Sequence, residues 1–380
     1  MSSHHHIAVV GLSVLKRSLS SNTDSPDTPD TPQGPTYNLP PLTWGLIALI
    51  TLIFVPAFLY VSYTVKSVYT TLAIVENPNP AAYEAVANEE NDAAPAAVPS
   101  ADDAVAADEE AVADVAGPAK PVTASLRRTY KLLRAANGWR GNYRGFWLAV
   151  LIFILSTVGT LVLSAIPFLP PLLAGLIISL ALVQLQAAWV HTVIRANPSS
   201  TSIFRGGLPP FRRTFEATSI PTFLLWVANV AVTLVSVAVT HALKLDDYDV
   251  RNPNNVPQYT PDMIWKTIIV FLVAIVLVFT LTIPANVVLI RTQASLLPPD
   301  EDTIVPFDRS FNGTVEPAVL GGRTYVTIKD AFRTFSRASW KRVILLYIKL
   351  HVLSILVNVL YVAIIVPVVL FTNTKADPNM

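Results

Sequence analysis

Polar side chains that can bind a ligand lie inside three of the long apolar runs of this chain. Gln184 and His191 are seven residues apart, so on a helix they share one face. Similar spacing relates two further sets, Asn229, Thr233 and Ser236, and His351, Ser354 and Asn358. Polar groups at membrane depth are costly and often mark a substrate path. The three sets predict a central polar cavity; hydrogen bonding between helices is the competing interpretation, which we favour.

Sequence motifs for catalysis and metal binding are absent. The chain contains no Cys, which excludes disulfides, thiolate metal sites and a cysteine nucleophile. It also has no phosphate-binding glycine loop, no His-Glu-x-x-His and no Gly-x-Ser-x-Gly sequence. We therefore expect that the protein is not an enzyme and has no catalytic, cofactor-binding or metal site.

The polar sets need long apolar helices to hold them at membrane depth. Of the 380 residues, 52% are hydrophobic and only 14% are charged, and this composition is typical of a membrane protein. Six runs reach the roughly 20 apolar residues that a helix needs to cross a bilayer. They are residues 44–65, 146–169, 172–194, 221–243, 264–290 and 343–371. The sequence predicts an all-α membrane protein with six transmembrane helices.

Polar segments border and interrupt this membrane domain, which we place at residues 43–371. Residues 1–42 are polar and rich in proline, which is typical of a disordered tail, and residues 372–380 form a second tail. Lys16 and Arg17 in an acid-free stretch also fit a mitochondrial presequence, although we favour the tail. Residues 76–120 are acidic and predict a solvated, disordered linker inserted in the first loop. That linker is either a docking segment for a basic protein partner or a tolerated insertion.

Basic residues are concentrated in alternate loops. The loops after the first, third and fifth helices are rich in Lys and Arg, whereas residues 167–171 between the second and third are uncharged. The loop after the fourth helix carries Asp246, Asp247 and Asp249. The positive-inside bias places loops one, three and five on the same side of the membrane, with both termini on the other.

A short basic-aromatic segment precedes three of the apolar runs, at residues 126–130, 211–215 and 332–335. Around the first copy, Leu126, Tyr130 and Leu133 share one helical face and cations fill the other. Near the third, Arg333, Arg337 and Lys341 recur every four residues and predict a basic helical stripe. Such helices hold cations against anionic lipid headgroups, although ordinary juxtamembrane charge is the alternative. The expected interfacial residues are Arg127, Arg128, Arg212, Arg213, Arg333 and Arg337.

Two further stretches carry a resemblance to the mitochondrial carrier family. In that family odd-numbered helices end with a proline, an acid and a base, commonly followed by a basic residue and Gln. Residues 284–293 are similar: Pro284, Arg291 and Gln293 match, while Asn286 stands at the acid position. Residues 137–145 resemble the family's glycine-rich stretch before an even-numbered helix. The resemblance implies three two-helix repeats, each with an amphipathic helix in its positive-side loop.

The departures from the family motif alter what the resemblance implies about function. Phe58 and Val61 follow Pro56 where an acid and a base belong, and the third helix has no proline near its end. The salt-bridge gate of a transporting carrier therefore cannot form. The resemblance implies a divergent carrier-like protein of a mitochondrial membrane.

We interpret it as a non-enzymatic membrane-organising or insertion factor. Its expected partners are a bilayer with anionic headgroups and a protein at the acidic linker, with no nucleic acid. The alternatives are a solute transporter with a central polar cavity and an endoplasmic reticulum or plasma-membrane scaffold unrelated to carriers.

Overall fold

The computed structural model describes residues 41–77, 121–196, 208–245, 261–315 and 325–372. Within these ranges the chain is helical, and the only β pairing is an isolated bridge between Arg195 and Thr303. Helices follow the apolar runs because a helix satisfies its backbone polar groups internally in hydrocarbon. Residues 1–40 and 373–380 of the expected tails and residues 78–120 of the expected linker lie outside the described ranges.

The first half of the described chain contains three spans. The first span consists of α1 (Pro41–Leu59), a π-helical stretch (Tyr60–Tyr69) and α2 (Thr70–Val75). A short 3-10 turn (Val122–Ala124), α3 (Leu126–Asn137) and a second 3-10 stretch (Gly138–Tyr143) lead into the second span, α4 (Phe146–Ser164). The third span is the pair α5 (Pro171–Ala181) and α6 (Val183–Ile194), which bends by 56° at Leu182.

The second half contains the other three spans. The fourth span is the single helix α7 (Phe211–Ala242). The fifth span consists of α8 (Asp262–Leu277), a π-helical stretch (Val278–Thr282) and α9 (Ile283–Ser295). A short helix, α10 (Ile328–Arg333), precedes the sixth span, α11 (Arg337–Thr372). Within the described ranges, five helices are long and apolar enough to cross a membrane, and six spans result when the bent pair counts as one. The predicted all-α membrane fold is confirmed.

The six spans pack as a bundle that is tightest at one end. The sixth span packs against the first, the second against the third, and the fourth against both the third and the fifth. At one end α2, α6 and α9 also contact one another, so the first, third and fifth spans converge there. The main hydrophobic core includes this junction, whereas large apolar side chains elsewhere, such as Leu52 and Leu356, are exposed. Exposed apolar surface on membrane-length helices is suited to contact with acyl chains.

The described parts of loops one, three and five meet at the converging end. The backbone N–H of Asn77 donates to the carbonyl of Pro306 at 2.8 Å. That of Ala196 donates to the carbonyl of Asp302, also at 2.8 Å. The prediction that these loops share one side is therefore confirmed for their described residues. We call this end of the bundle the positive end.

The three basic-aromatic segments differ in structure. The first opens α3, an amphipathic helix that buries Leu133 and exposes Arg127 and Arg128, as predicted. The second forms the first turns of α7 itself, so the fourth span begins ten residues before the expected start at Pro221 and has no separate loop helix among the described residues. Pro221 is accommodated as an internal residue of that helix.

The prediction that Arg333, Arg337 and Lys341 form a basic stripe on one helix is wrong. α10 ends at Arg333, and α11 begins only at Arg337. The interruption has a local cause, because the side chain of Ser336 accepts the backbone N–H of Ser339 at 3.1 Å. A serine that accepts such a bond starts a new helix.

Candidate functional site at the positive end

The convergence of α2, α6 and α9 closes the positive end with apolar side chains. Leu72 and Ile74 of the first span, Val193 of the third and Ala294 of the fifth have no measurable exposure. Protein interiors are packed as densely as organic crystals, so such a contact leaves no aqueous path through its centre. The centre of the closure is therefore apolar packing.

One polar contact crosses this apolar junction. His191 is 1% exposed, and its Nε2 lies 2.8 Å from the backbone oxygen of Gln293. A carbonyl can only accept, so Nε2 carries the proton and donates. The expected cavity residue His191 and the carrier-like motif residue Gln293 are thus brought together. The contact uses the backbone of Gln293, whose buried side-chain amide nitrogen has no hydrogen-bond partner among the described residues.

Buried arginines hold the C-terminal ends of two converging spans. Arg144 donates to the carbonyls of Val193 at 3.4 Å and Ala196 at 2.7 Å, at the end of the third span. Arg342 donates to the carbonyls of Ala73 at 2.9 Å and Glu76 at 2.8 Å, at the end of the first. The last carbonyls of a helix lack partners within it, and a cation there also complements the helix dipole. Each arginine stands where an even-numbered span begins.

Glu76 completes the contact at the end of the first span. Its carboxylate accepts backbone N–H groups from Val122 at 2.7 Å and Thr123 at 3.2 Å, together with the Thr123 hydroxyl. It also lies 3.2 Å from Nη1 of Arg342, at ion-pair distance but without hydrogen-bond geometry. The expectation that Glu76 belongs to a solvated linker is wrong, since the residue is 3% exposed. A buried carboxylate is tolerated because several donors and a cation satisfy it.

Arg291 from the carrier-like motif packs on the third basic-aromatic segment. Its Nη2 donates to Thr334 at 2.7 Å. Its guanidinium lies over the rings of Phe311 and Phe335, 4.8 Å and 5.2 Å from their centres. A cation over two aromatic faces is attracted by both ring quadrupoles. The carrier-like motif and the third basic-aromatic segment, which are separate features of the sequence, therefore contact each other in the structure.

The threonine shared by the three basic-aromatic segments has the same role in each. The hydroxyls of Thr129, Thr214 and Thr334 donate to the carbonyl four residues earlier, at 3.0, 2.9 and 2.6 Å. A threonine that bonds in this way satisfies its hydroxyl within its own helix. Thr129 and Thr214 are buried, so in these two copies the threonine faces protein while the neighbouring arginines face outward.

The glycine-rich stretch at residues 137–145 docks against the π-helical part of the first span. Tyr63 donates its hydroxyl to the carbonyl of Arg144 and accepts Nε1 of Trp189 at 3.2 Å. Tyr69 donates to the side chain of Asn142 at 2.9 Å. A Cβ at Gly141 would lie 2.0 Å from the carbonyl oxygen of Leu133, so only glycine fits that close approach.

A small polar cavity lies beside the junction. It has a volume of about 120 Å³ and is lined in part by Asn77, Arg291, Asp308, Asn312 and Ser339. Burial alone raises the pKa of Asp308, but hydrogen bonds from Ser310 and the Asn312 backbone, with the charge of Arg291, lower it below its ordinary value. The cavity is therefore lined by the cation Arg291 and by two acidic residues, Asp308 and Glu76.

The other expected cavity residues make contacts within or between neighbouring helices. Gln184 donates to the carbonyl of Pro209 at 2.8 Å, and Asn229 accepts the hydroxyl of Thr282 at 3.5 Å. Three more bond within their helices: Thr233 to the carbonyl of Asn229, His351 to that of Tyr347, and Asn358 to that of Ser354. The hydroxyl of Ser236 is buried without a partner among the described residues. None of these residues lines the polar cavity at the junction.

Asn286, which stands at the acid position of the carrier-like motif, also forms a hydrogen bond between two spans. Nδ2 of Asn286 donates to the hydroxyl of Tyr347 at 3.2 Å and so links the fifth and sixth spans. Pro284 lines an apolar groove between the fourth and fifth spans. Arg212 and Arg213 are exposed at the start of α7, where Arg212 pairs with Glu216 at 3.1 Å. Arg333 and Arg337 are also exposed.

Sequence reasoning missed Tyr63 and the pairing of Glu76 with Arg342. Tyr63 follows Pro56 in an apolar run, and nothing in its spacing distinguishes it from a lipid-facing tyrosine. A signal for Glu76 was present, since it is the acid that directly follows an apolar run, well apart from the denser acids after it.

No group of three His, Asp or Glu side chains suited to a metal ion occurs within the ranges that the structure describes. Comparison with models of protein families, with curated proteins and with solved structures gives no match to this chain.

Proposed function

We propose that this multi-pass membrane protein is a non-enzymatic membrane-organising or scaffold factor with a divergent carrier-like architecture, resident in a mitochondrial membrane. The observation that carries the proposal is the closed packing of the positive end. Leu72, Val193 and Ala294 seal it by apolar packing, and Arg144 and Arg342 are bound to backbone carbonyls.

A transport gate has to open, and these contacts are costly to open. Separating α2 from α11 would remove Arg342 from Glu76 and from two carbonyls in one step. Packing and fixed caps of this kind favour a rigid bundle that presents its surfaces to other molecules.

One exposed basic surface and one acidic segment of the sequence are suited to such a role. Exposed arginines of α3 and of the first turns of α7 can contact anionic headgroups at the positive end. The acidic segment 78–120 starts and ends beside Glu76 and Thr123, which are bonded to each other. A basic protein partner of that segment would be held next to the membrane surface.

The proposal is tested by reconstituting the purified chain in liposomes. We expect solute uptake no greater than in empty liposomes, and capture of a basic partner that disappears when residues 80–118 are replaced by a neutral linker of equal length. A second measurement uses the absence of native cysteine. Ala294→Cys should resist a membrane-impermeant maleimide until the protein is unfolded, whereas Asp300→Cys, which is exposed, should react at once.

A solute transporter is the second candidate, favoured by the π-helical stretches in the first and fifth spans. Such stretches are frequently found at functional sites. Uptake above empty liposomes that falls when Asn229 or Asn358 is changed to Ala, with slow labelling of Ala294→Cys, would support it and overturn the scaffold proposal. A fluorescent tag at the C-terminus tests the membrane: mitochondrial signal is expected, and endoplasmic reticulum or plasma-membrane signal contradicts the carrier-like assignment.

A further inference from the structure

An apolar groove separates the fourth and fifth spans near the positive end. Its volume is about 460 Å³, within the range of about 300–1,000 Å³ typical of small-molecule sites. Leu224 and Val227 of α7 form one wall, and Leu281 and Pro284 of the fifth span form the other. The small side chains of Ala228, Ala231 and Ala285 also line it.

The groove opens toward the bilayer rather than toward the bundle axis. Leu224, Val227 and Leu281 are each about two-fifths exposed, although they belong to helices of membrane-spanning length. The medium beside such helices is hydrocarbon, so the chemistry that fits this opening is an acyl chain.

Two cations stand at the rim of the same groove. Lys329 and Arg333 are four residues apart on α10, and both line it together with Phe332. Both are exposed, and neither forms an ion pair with a residue that the structure describes. The carboxylate of Asp330 accepts the hydroxyl of Thr327 at 2.6 Å at the start of the helix, and it does not line the groove.

This combination of an apolar groove and a cationic rim points to one occupant. The geometry assigns it to a single anionic phospholipid of the positive-end leaflet, with an acyl chain between α7 and α9 and its phosphate between Lys329 and Arg333. An acyl chain fills the apolar volume, and the phosphate oxygens supply the negative charge with which the two cations can pair. A zwitterionic phospholipid gains less because its own cation opposes Lys329 and Arg333.

The site does not depend on the scaffold function. It needs only that the chain is embedded in a membrane, and it applies equally to a transporter. Solute uptake would overturn the proposed function without affecting lipid retention, and loss of lipid selectivity would overturn this inference without affecting the scaffold. The two failures are therefore distinguishable.

The test measures phospholipids that remain with the full chain after mild detergent extraction from vesicles of equal phosphatidylcholine and phosphatidylglycerol. Quantitative lipid mass spectrometry should find phosphatidylglycerol enriched. Lys329→Gln with Arg333→Gln should reduce that enrichment by about fivefold per cation removed. The matched control is Arg140→Gln with Lys244→Gln, two exposed cations outside the groove, which should leave the enrichment unchanged.

A second pair of variants tests the acyl chain. Ala231→Phe fills the groove and should abolish phosphatidylglycerol retention, whereas Ala238→Phe, on an exposed position of the same helix, should not. Thermal unfolding verifies that each variant folds. If Ala231→Phe does not fold, the Lys329/Arg333 variant still tests the assignment, because it is altered only at exposed positions. Equal retention of the two lipids by the unaltered chain would overturn the assignment. So would equal losses in the control variants, or displacement of the lipid by millimolar inorganic phosphate.

Discussion

Arg342 and Glu76 form a buried ion pair that joins the start of the sixth span to the end of the first. Their side chains are 6% and 2% exposed, with Nη1 of Arg342 3.2 Å from Oε2 of Glu76. The same carboxylate binds Val122 and Thr123, so Glu76 links the described residues on either side of segment 78–120 as well as two spans. The pair therefore links the first span, the 3-10 turn before α3 and the sixth span at the positive end.

Glu76→Ala should therefore destabilise the protein strongly. It leaves Arg342 buried without its counter-charge, a change that costs about 3–5 kcal/mol in other proteins. Thermal unfolding in detergent measures the effect. The control is Glu216→Ala, which removes an exposed pair with Arg212 worth only about 0.3–0.5 kcal/mol. Exchanging the two residues, Glu76→Arg with Arg342→Glu, should not restore stability, because a carboxylate at 342 cannot donate to the carbonyl of Ala73. Full rescue by the exchange would contradict this account.

Tyr63→Phe should weaken the contact between the first span and the glycine-rich stretch. The hydroxyl joins Arg144 and Trp189, and its loss leaves the Trp189 N–H without a partner at a cost of about 1–3 kcal/mol. Tyr130→Phe removes a hydroxyl that accepts only a 3.5 Å contact from exposed Arg134, so it should be nearly neutral. Thermal unfolding and tryptophan fluorescence measure both variants. Equal stability of the two would show that the hydroxyl of Tyr63 is dispensable.

Sidedness can be tested with single cysteines in sealed vesicles. Lys131→Cys in α3 and Asp300→Cys after α9 should react with an impermeant maleimide from the same side, because loops one and five meet at the positive end. Phe168→Cys, in the exposed connection between the second and third spans, should react only from the other side. Labelling of all three from one side would exclude the six-span topology.

The carboxylate of Asp308 stabilises the folded protein by an amount that depends on pH. Because its pKa is lower in the folded chain than in the unfolded one, the contribution is present above the unfolded pKa, about 3.9, and is lost as the pH falls through the folded value. Asp308→Asn should be less stable than the unaltered chain at pH 7. The difference in melting temperature should shrink below about pH 4. A difference that stays constant down to pH 2.5 would mean that Asp308 acts by shape alone.

The sequence by itself determined the membrane fold, the approximate spans and the shared side of three loops. Those features depend on apolar length and on charge counts, which are local properties of the chain. Helix ends were less predictable, since Ser336 starts a new helix through one hydrogen bond and α7 continues through Pro221.

Only the tertiary structure decided which polar groups meet. Glu76 and Arg342 are 266 positions apart, and His191 lies 102 positions from Gln293. No periodicity links residues on different spans, so the sequence could name His191 and Arg291 as candidates but could not identify their partners. The packing of three spans at one end selects those partners, because a buried charge is stable only where the converging helices place a counter-charge or a free carbonyl beside it.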